Sequence, residues 1–420
     1  MLLELQEKGE SAAAKYAADL DGQSLQSNLE SSFLMSAERR ADLISKVPDA
    51  LRKDIQFAHL QVKRFAEAQK ASLSEFTIES EPGVWLGQKL VPVNCAGCYI
   101  PGGRYAHIAS AIMSVTTAKV AGVPHIVAAS PATNENGDPF PAVVYAMDLA
   151  GAHTILEMGG VQAIGSMAFG LFGLPKADML VGPGNAYVAE AKRQLFGEVG
   201  IDVFAGPTES AIIADSTADP MTVAIDLLGQ AEHGTNSPVW LFSSDELLAQ
   251  HVMDIIPEIA EEMPSGTVAM QAWENHGEVI FCDRKEDIVT ISDEYAPEHL
   301  QLLTEENGWY KDRLTNYGSL FVGEGSTVTH GDKCSGTNHI LPTKGAARYS
   351  GGLNVQKFLK VLTWQELSVE ANREFSSVGS RISRAEGMDG HARSCDWRLN
   401  KYFPGEKWDF EVVNQERITK

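Results

Sequence analysis

Long apolar runs are missing from this chain of 420 residues. No stretch nears the run of about 18 apolar residues that a membrane-spanning helix needs. The start, MLLELQEKGESAAAKY, has no basic leading region and no apolar core, so it does not read as a secretory signal. Cysteine is scarce. Five cysteines, an odd number at low density, argue against a disulfide scaffold and fit a reducing cytoplasm. Basic residues are outnumbered, 34 against 56 acidic, for a net charge of −22. That balance argues against nucleic acid or an anionic membrane as partner, since both need a basic face. It also disfavours an anionic substrate unless local cations offset the general field. No solenoid repeat, low-complexity tract or GxGxxG phosphate loop occurs.

What is present is ordinary globular chemistry, with 44% hydrophobic and 21% charged residues. The length suggests two or three domains. Residues 1–75 are rich in Ala, Glu, Lys and Leu at helical spacing and predict two or three amphipathic helices. From about residue 90 short apolar runs alternate with Ala-rich helical stretches. HIVAAS (125–130), HTILEM, DMLVG (178–182), SAIIAD (210–215), PVWLFS (238–243), EVIFC (278–282) and SLFVG (319–323) read as strands. The pattern predicts an α/β fold: two incomplete Rossmann-like domains with parallel-rich sheets, a helical N-terminal segment and a small C-terminal tail domain. We expect 1–98 with 209–352 as the first α/β domain, 99–208 as the second, and 353–420 as a dimerisation tail, helical at first.

The strongest local signal is GQAEHG (229–234). Asp219-Pro220 is a good cap and first turn and Gly234 a natural stop, so a helix is expected from about 220 to 233. Gln230 and His233 then sit one turn apart near its end, a spacing that suits a divalent metal. A surface helix end with a dipole-stabilised histidine explains the same residues. APEHL (296–300) sets Glu298 and His299 at a strand mouth, where they could serve as acid and base or form a solvated pair in a loop. GDKCSGTNHILPT (331–343) carries Asp332 and His339 in a segment rich in small polar residues, which fits either a site or plain turn chemistry. AEGMDGHAR (385–393) adds Glu386 and His391. LVGPGNAYVAEAKRQ (180–194) puts Gly-Pro-Gly-Asn between a strand and a helix, where a backbone can approach a phosphate or simply turn. Cys95 and Cys98 form an isolated C-x-x-C, a poor zinc or redox candidate without a second pair.

In their order and spacing, YIPGG, GGVQAI, GPGNAYVAEAKRQ, AGPTE, QAEHG, APEHL, GDKCSGTNHILPT and AEGMDGH resemble the histidinol dehydrogenase family over nearly the whole chain. The resemblance implies one zinc per subunit, held by Gln230, His233, Asp332 and His391. It implies NAD contacts at Tyr99, Gln162 and Asn185, and acid–base work by Glu298 and His299. The zinc ligands, His299 and the set Thr208, His339 and Glu386 would lie at the substrate. It further implies a homodimer in which the C-terminal segment completes the neighbour's site, and an alcohol carried through an aldehyde to a carboxylate with two hydride transfers to NAD.

The departures from the family pattern are as informative. The glutamate usually found four residues before the metal aspartate is Val328, and the aromatic usually following that aspartate is Lys333. The usual serine of the GPSE motif is Thr208, and the serine expected ten residues after the motif tyrosine is Ala109. The small residue after PGG is Arg104, followed by Tyr105 and His107. An anionic recognition group has gone and cations have appeared, which favours a small anionic diol as substrate, with Lys333, Arg104 or His107 on the anion. GGRYAHIASAIM and GGLNVQKF resemble the branch of the family that oxidises 2,3-dihydroxypropane-1-sulfonate. Two alternatives stay open: a histidinol dehydrogenase with unusual substrate contacts, and a catalytically idle relative.

Overall fold

Parallel sheets bury both faces of their strands, and the apolar runs of this chain do so. Ser210–Ala214, Val239–Ser243 and His299–Leu303 are buried along their whole length, and His125–Ser130 all but its first residue. The structure is a computed structural model that describes residues 1–21, 33–102, 105–132, 138–203 and 206–408. Its contacts divide the chain into two units, Met1–Ser72 with Pro92–Leu359, and Leu73–Val91 with Lys360–Lys420.

The first unit holds two five-stranded sheets, each parallel throughout. One runs Thr154–Glu157, His125–Ser130, Cys95–Tyr99, Met179–Val181, Gly200–Ile201 across its width. The other runs Gly277–Phe281, Val239–Ser243, Ser210–Ala214, His299–Leu303, Ser319–Val322. Both grow outward from a central first strand and then reverse, which leaves a switch point between the first and fourth strands. This is the incomplete Rossmann-like pair that the α/β pattern predicts.

The helices show why the boundaries were harder to read. Leu2–Lys8 and Glu10–Asp21 pack on the helix Gly160–Phe169, Ala37–Ser45 on Pro141–Ala150, and Asp49–Ala71 on Ile108–Ala121. The N-terminal helices therefore pack on helices of the 99–208 segment, whereas the sequence pattern grouped residues 1–98 with 209–352. An amphipathic stripe says that a helix buries one face, not which sheet it covers. Ile108–Ala121 is buried nearly all round, so it shows almost no stripe at all.

Cys95–Tyr99, the central strand of the first sheet, went unrecognised because Cys-Ala-Gly-Cys-Tyr lacks the β-branched residues that mark strands. Cys95 and Cys98, three apart on it, point to opposite faces and enter different core clusters. They form neither a bridge nor a metal pair.

The second unit has a three-stranded sheet of Phe76–Glu81, Val84–Pro92 and Leu359–Leu367, followed by helices Asn372–Ala385 and Asp389–Tyr402 that pack on each other. The tail was expected to open as helix; beyond a short 3-10 turn at Val355–Phe358 it opens as a strand. LKVLTWQEL does not alternate strictly and most of it is exposed, so no period of two marks it as a strand.

Candidate active site

The cleft forms where the carboxyl ends of the first sheet meet the amino ends of the second. It encloses about 560 Å3 and is lined by Tyr105–Ser110 and Pro183–Asn185 from the first, and by Thr208, Glu232, His233, Glu298 and His299 from the second. Asp332, Lys333 and His339 also line it.

The helix Lys285–Tyr295 stops at Ala296, which takes a left-handed conformation at φ 48 and turns the chain sharply into Pro297 and Glu298. Gly318 allows the neighbouring strand to close in, since a Cβ there would lie 2.5 Å from the Glu298 carbonyl oxygen. The strand then begins at His299, which leaves Glu298 and His299 both buried. The expected strand mouth is present.

His299 Nε2 lies 3.5 Å from Asp332 Oδ1, and its Nδ1 lies 3.8 Å from Glu298 Oε2. Burial pulls the His299 ring down, but the carboxylates of Glu298 and Asp332 outweigh it and raise it to about 9. Burial also opposes charge on Asp332, yet the His299 ring, with His339 and Lys333, holds it well below the usual carboxylate range. Burial pushes Glu298 up to about 8, against the pull of His299 and of the Glu209 N–H. The cluster thus holds an ionised Asp332, a protonated His299 and a Glu298 poised near neutrality, the condition a general acid–base group needs.

His339 is fixed on both sides, its Nε2 2.9 Å from Ser110 Oγ and its Nδ1 3.1 Å from the Asp332 carbonyl oxygen. Burial pushes it down to about 4, so it is neutral at physiological pH. The sequence did not single out Ser110 or Glu209. Glu209 stands next to Thr208 in AGPTE, and that adjacency was the available signal.

Three of the four residues implied for zinc come from the first unit. The helix Pro220–Ala231 starts as expected, with Asp219 accepting the Thr222 N–H at 3.0 Å, but ends two residues early. His233 lies just past it, its N–H reaching the Gln230 carbonyl at 3.3 Å, because the last turn tightens. Gln230 is buried, and its side-chain Oε1 has no hydrogen-bond partner. A buried amide oxygen left unpaired is costly unless something electropositive meets it. His233 and Asp332 both line the cleft. Glu386 and His391 belong to the second unit, where both are exposed around the start of the helix Asp389–Tyr402. Among the described residues no three His, Cys, Asp or Glu side chains come together as a metal site.

Of the residues implied for NAD, Asn185 lines the cleft and caps the helix Ala186–Leu195, accepting from the Tyr187 and Val188 N–H groups. Tyr99 and Gln162 are buried. The Tyr99 hydroxyl accepts the Gly160 N–H at 3.1 Å, and Gln162 Nε2 donates to Asp21 Oδ2 at 2.9 Å. The Gly-Pro-Gly loop rests against the first strand: Gly182 has φ +118, and a Cβ there would strike the Tyr99 carbonyl oxygen at 2.0 Å. Behind it Lys192 and Asp202 form a buried ion pair that holds both polar groups of Gly182, with Lys192 Nζ donating to its carbonyl and Asp202 accepting its N–H. Lys333 is exposed in the cleft and His107 half-buried; Arg104 lies outside the described residues. Burial, with Lys333 and His233 nearby, pushes His107 down, so it offers a neutral donor rather than a charge.

The model of the Histidinol dehydrogenase family matches residues 1–399. A protein of Ruegeria pomeroyi named sulfopropanediol 3-dehydrogenase is 53% identical over 97% of this chain and 93% of its own length. A histidinol dehydrogenase homolog of Pelagibacter ubique is 56% identical over 88% of this chain and 87% of its own. The crystal structure of histidinol dehydrogenase from Elizabethkingia anophelis superposes with a TM-score of 0.89 at 34% identity, covering 95% of this chain and 90% of that one. Fold and relatives together define a dehydrogenase acting on CH–OH donors. The chain belongs to the histidinol dehydrogenase family.

Proposed function

We propose that the protein oxidises 2,3-dihydroxypropane-1-sulfonate to sulfolactate through the aldehyde, with two hydride transfers to NAD. The observation that carries the substrate choice is the corner formed by the helix Val328–Lys333. Where histidinol dehydrogenases place a glutamate, Val328 is buried and apolar, and Lys333 extends into the cleft. A carboxylate there would face a substrate ammonium; a lysine suits a sulfonate. The relative named sulfopropanediol 3-dehydrogenase supports the same choice.

His299, in its neutral form, would accept the alcohol proton as hydride leaves the primary carbon. Glu298 would take a proton from water as it adds to the aldehyde, and the hydrate would give the second hydride. Gln230, His233, Asp332 and His391 would hold the zinc, a fit supported by the unpaired Gln230 oxygen. Bound there, zinc supplies Lewis-acid polarisation of the substrate's hydroxyl oxygens. Asn185, Tyr99 and Gln162 would serve NAD, Thr208 and His339 the diol, and Lys333 the sulfonate, a role the sequence also offers to Arg104.

A homodimer is part of the proposal, with Glu386 and His391 supplied by the second copy. The second unit leaves Ile78, Leu362, Phe375, Ile382 and Trp397 exposed, apolar surface that a second copy would cover. A cytoplasmic location belongs to the same reading and is supported by five free cysteines. NADH formation with sulfopropanediol and with L-histidinol tests the substrate: turnover of histidinol alone would overturn it. Metal analysis should find about one zinc per chain.

A further inference from the structure

One residue holds both members of the candidate pair. Glu209, the last residue before the strand Ser210–Ala214, is 7% exposed. Its N–H donates to Glu298 Oε2 at 3.1 Å. Its carbonyl oxygen accepts the His299 N–H at 3.1 Å and lies 3.3 Å from His299 Nδ1. A carbonyl oxygen only accepts, so this contact keeps a ring proton on Nδ1. When His299 is neutral, the lone pair is therefore on Nε2, the atom near Asp332 that has no hydrogen-bond partner. That is the tautomer a base needs at this position.

The Glu209 side chain is tied in a different direction. Its Oε1 accepts the Lys344 N–H at 2.8 Å. Lys344 has φ 55, a left-handed conformation that a lysine keeps only when its surroundings hold it there. Beside it, Thr343 Oγ1 accepts the Gly206 N–H at 2.5 Å. The turn at 343–344 and the segment 206–209 are thus laced together at both ends.

We propose that Glu209 is a positioning residue: its carboxyl group, anchored on the Lys344 amide, fixes the peptide groups that orient Glu298 and set the tautomer of His299. The inference rests on reading Glu298 and His299 as the reacting pair. Its anchor works by reach rather than by charge, because the partner is a neutral N–H.

Two variants separate reach from charge. Glu209→Gln keeps the length and an acceptor oxygen, while Glu209→Asp keeps the charge and loses a methylene. Glu209→Gln should hold kcat within about threefold of the parent, and Glu209→Asp should lower it about 10- to 100-fold with KM for NAD little changed, the scale of an ångström's misplacement. Turnover by Glu209→Asp as fast as the parent, or loss by Glu209→Gln as deep as by Glu209→Asp, would overturn the proposal. Crystal structures of the two variants give a readout free of activity: the contact of His299 Nδ1 with the residue-209 carbonyl should persist in Gln and break in Asp. An unchanged pair in the Asp variant also refutes positioning. Full activity in Glu298→Gln, by contrast, would refute the reacting pair and leave the crystallographic comparison to decide on Glu209.

Discussion

The two sheets of the first unit share strand order and direction, yet they present opposite ends to the cleft. The first offers carboxyl ends, and with them the starts of the helices Ile108–Ala121 and Ala186–Leu195. The second offers amino ends, and with them the finishes of Pro220–Ala231 and Lys285–Tyr295. Helix starts carry partial positive charge and unpaired N–H groups, whereas helix ends carry partial negative charge. One wall of the cleft is thus suited to phosphates and the other to cations, including a protonated histidine or a metal. The rule that α/β sheets bind ligands at carboxyl ends describes the first wall only. A second copy of the same topology, turned round, supplies the complementary field.

If the walls divide the labour this way, changes on the second should strike chemistry and changes on the first should strike cofactor binding. Glu298→Gln should lower aldehyde oxidation most, about 100- to 10,000-fold, and alcohol oxidation less. Steady-state assays begun from each substrate check this, and equal losses would contradict the water-activating role. The carboxylate is the form that accepts a proton, and burial raises it to about 8. Aldehyde oxidation should therefore increase as pH rises through about 8, and the glutamine variant should lose that dependence.

On the first wall, Lys192→Met leaves Asp202 buried without its cation, at a cost of about 3–5 kcal/mol in stability. Thermal unfolding reads the loss, and KM for NAD should rise with little change in kcat. A fall in kcat alone would blur the two walls. Lys333→Ala should raise KM for the sulfonate about 10- to 100-fold, the value of a hydrogen bond to a charged group, and spare L-histidinol. Equal effects on both substrates would remove lysine from anion recognition. The smallest effect is expected at Cys98. Burial pushes its thiol far up, so alkylating reagents should leave it unmodified at mildly alkaline pH until the protein unfolds, as peptide mass mapping would show.

Much of the frame was legible in the chain. HIVAAS became the strand His125–Ser130 without a shift, and Asp219-Pro220 opened its helix where capping chemistry placed it. The central strand Cys95–Tyr99 was not legible, because burial on both faces of a crowded sheet admits small residues that carry no strand preference. Nor was the strand Leu359–Leu367, which pairs with a partner far back in sequence.

The candidate site divides in the same way. Local order marked the candidates for chemistry: Glu298 and His299 at a strand mouth, Gln230 and His233 at a helix end. Only the tertiary structure decided that the two sheets meet end to end, that Asp332 comes to 3.5 Å from His299, and that Glu209 sits between Glu298 and the Lys344 turn. Spacing along a chain governs hydrogen bonds a few residues apart. Contacts across tens of residues or more, and the burial that raises Glu298, arise only once distant strands pack and expel water.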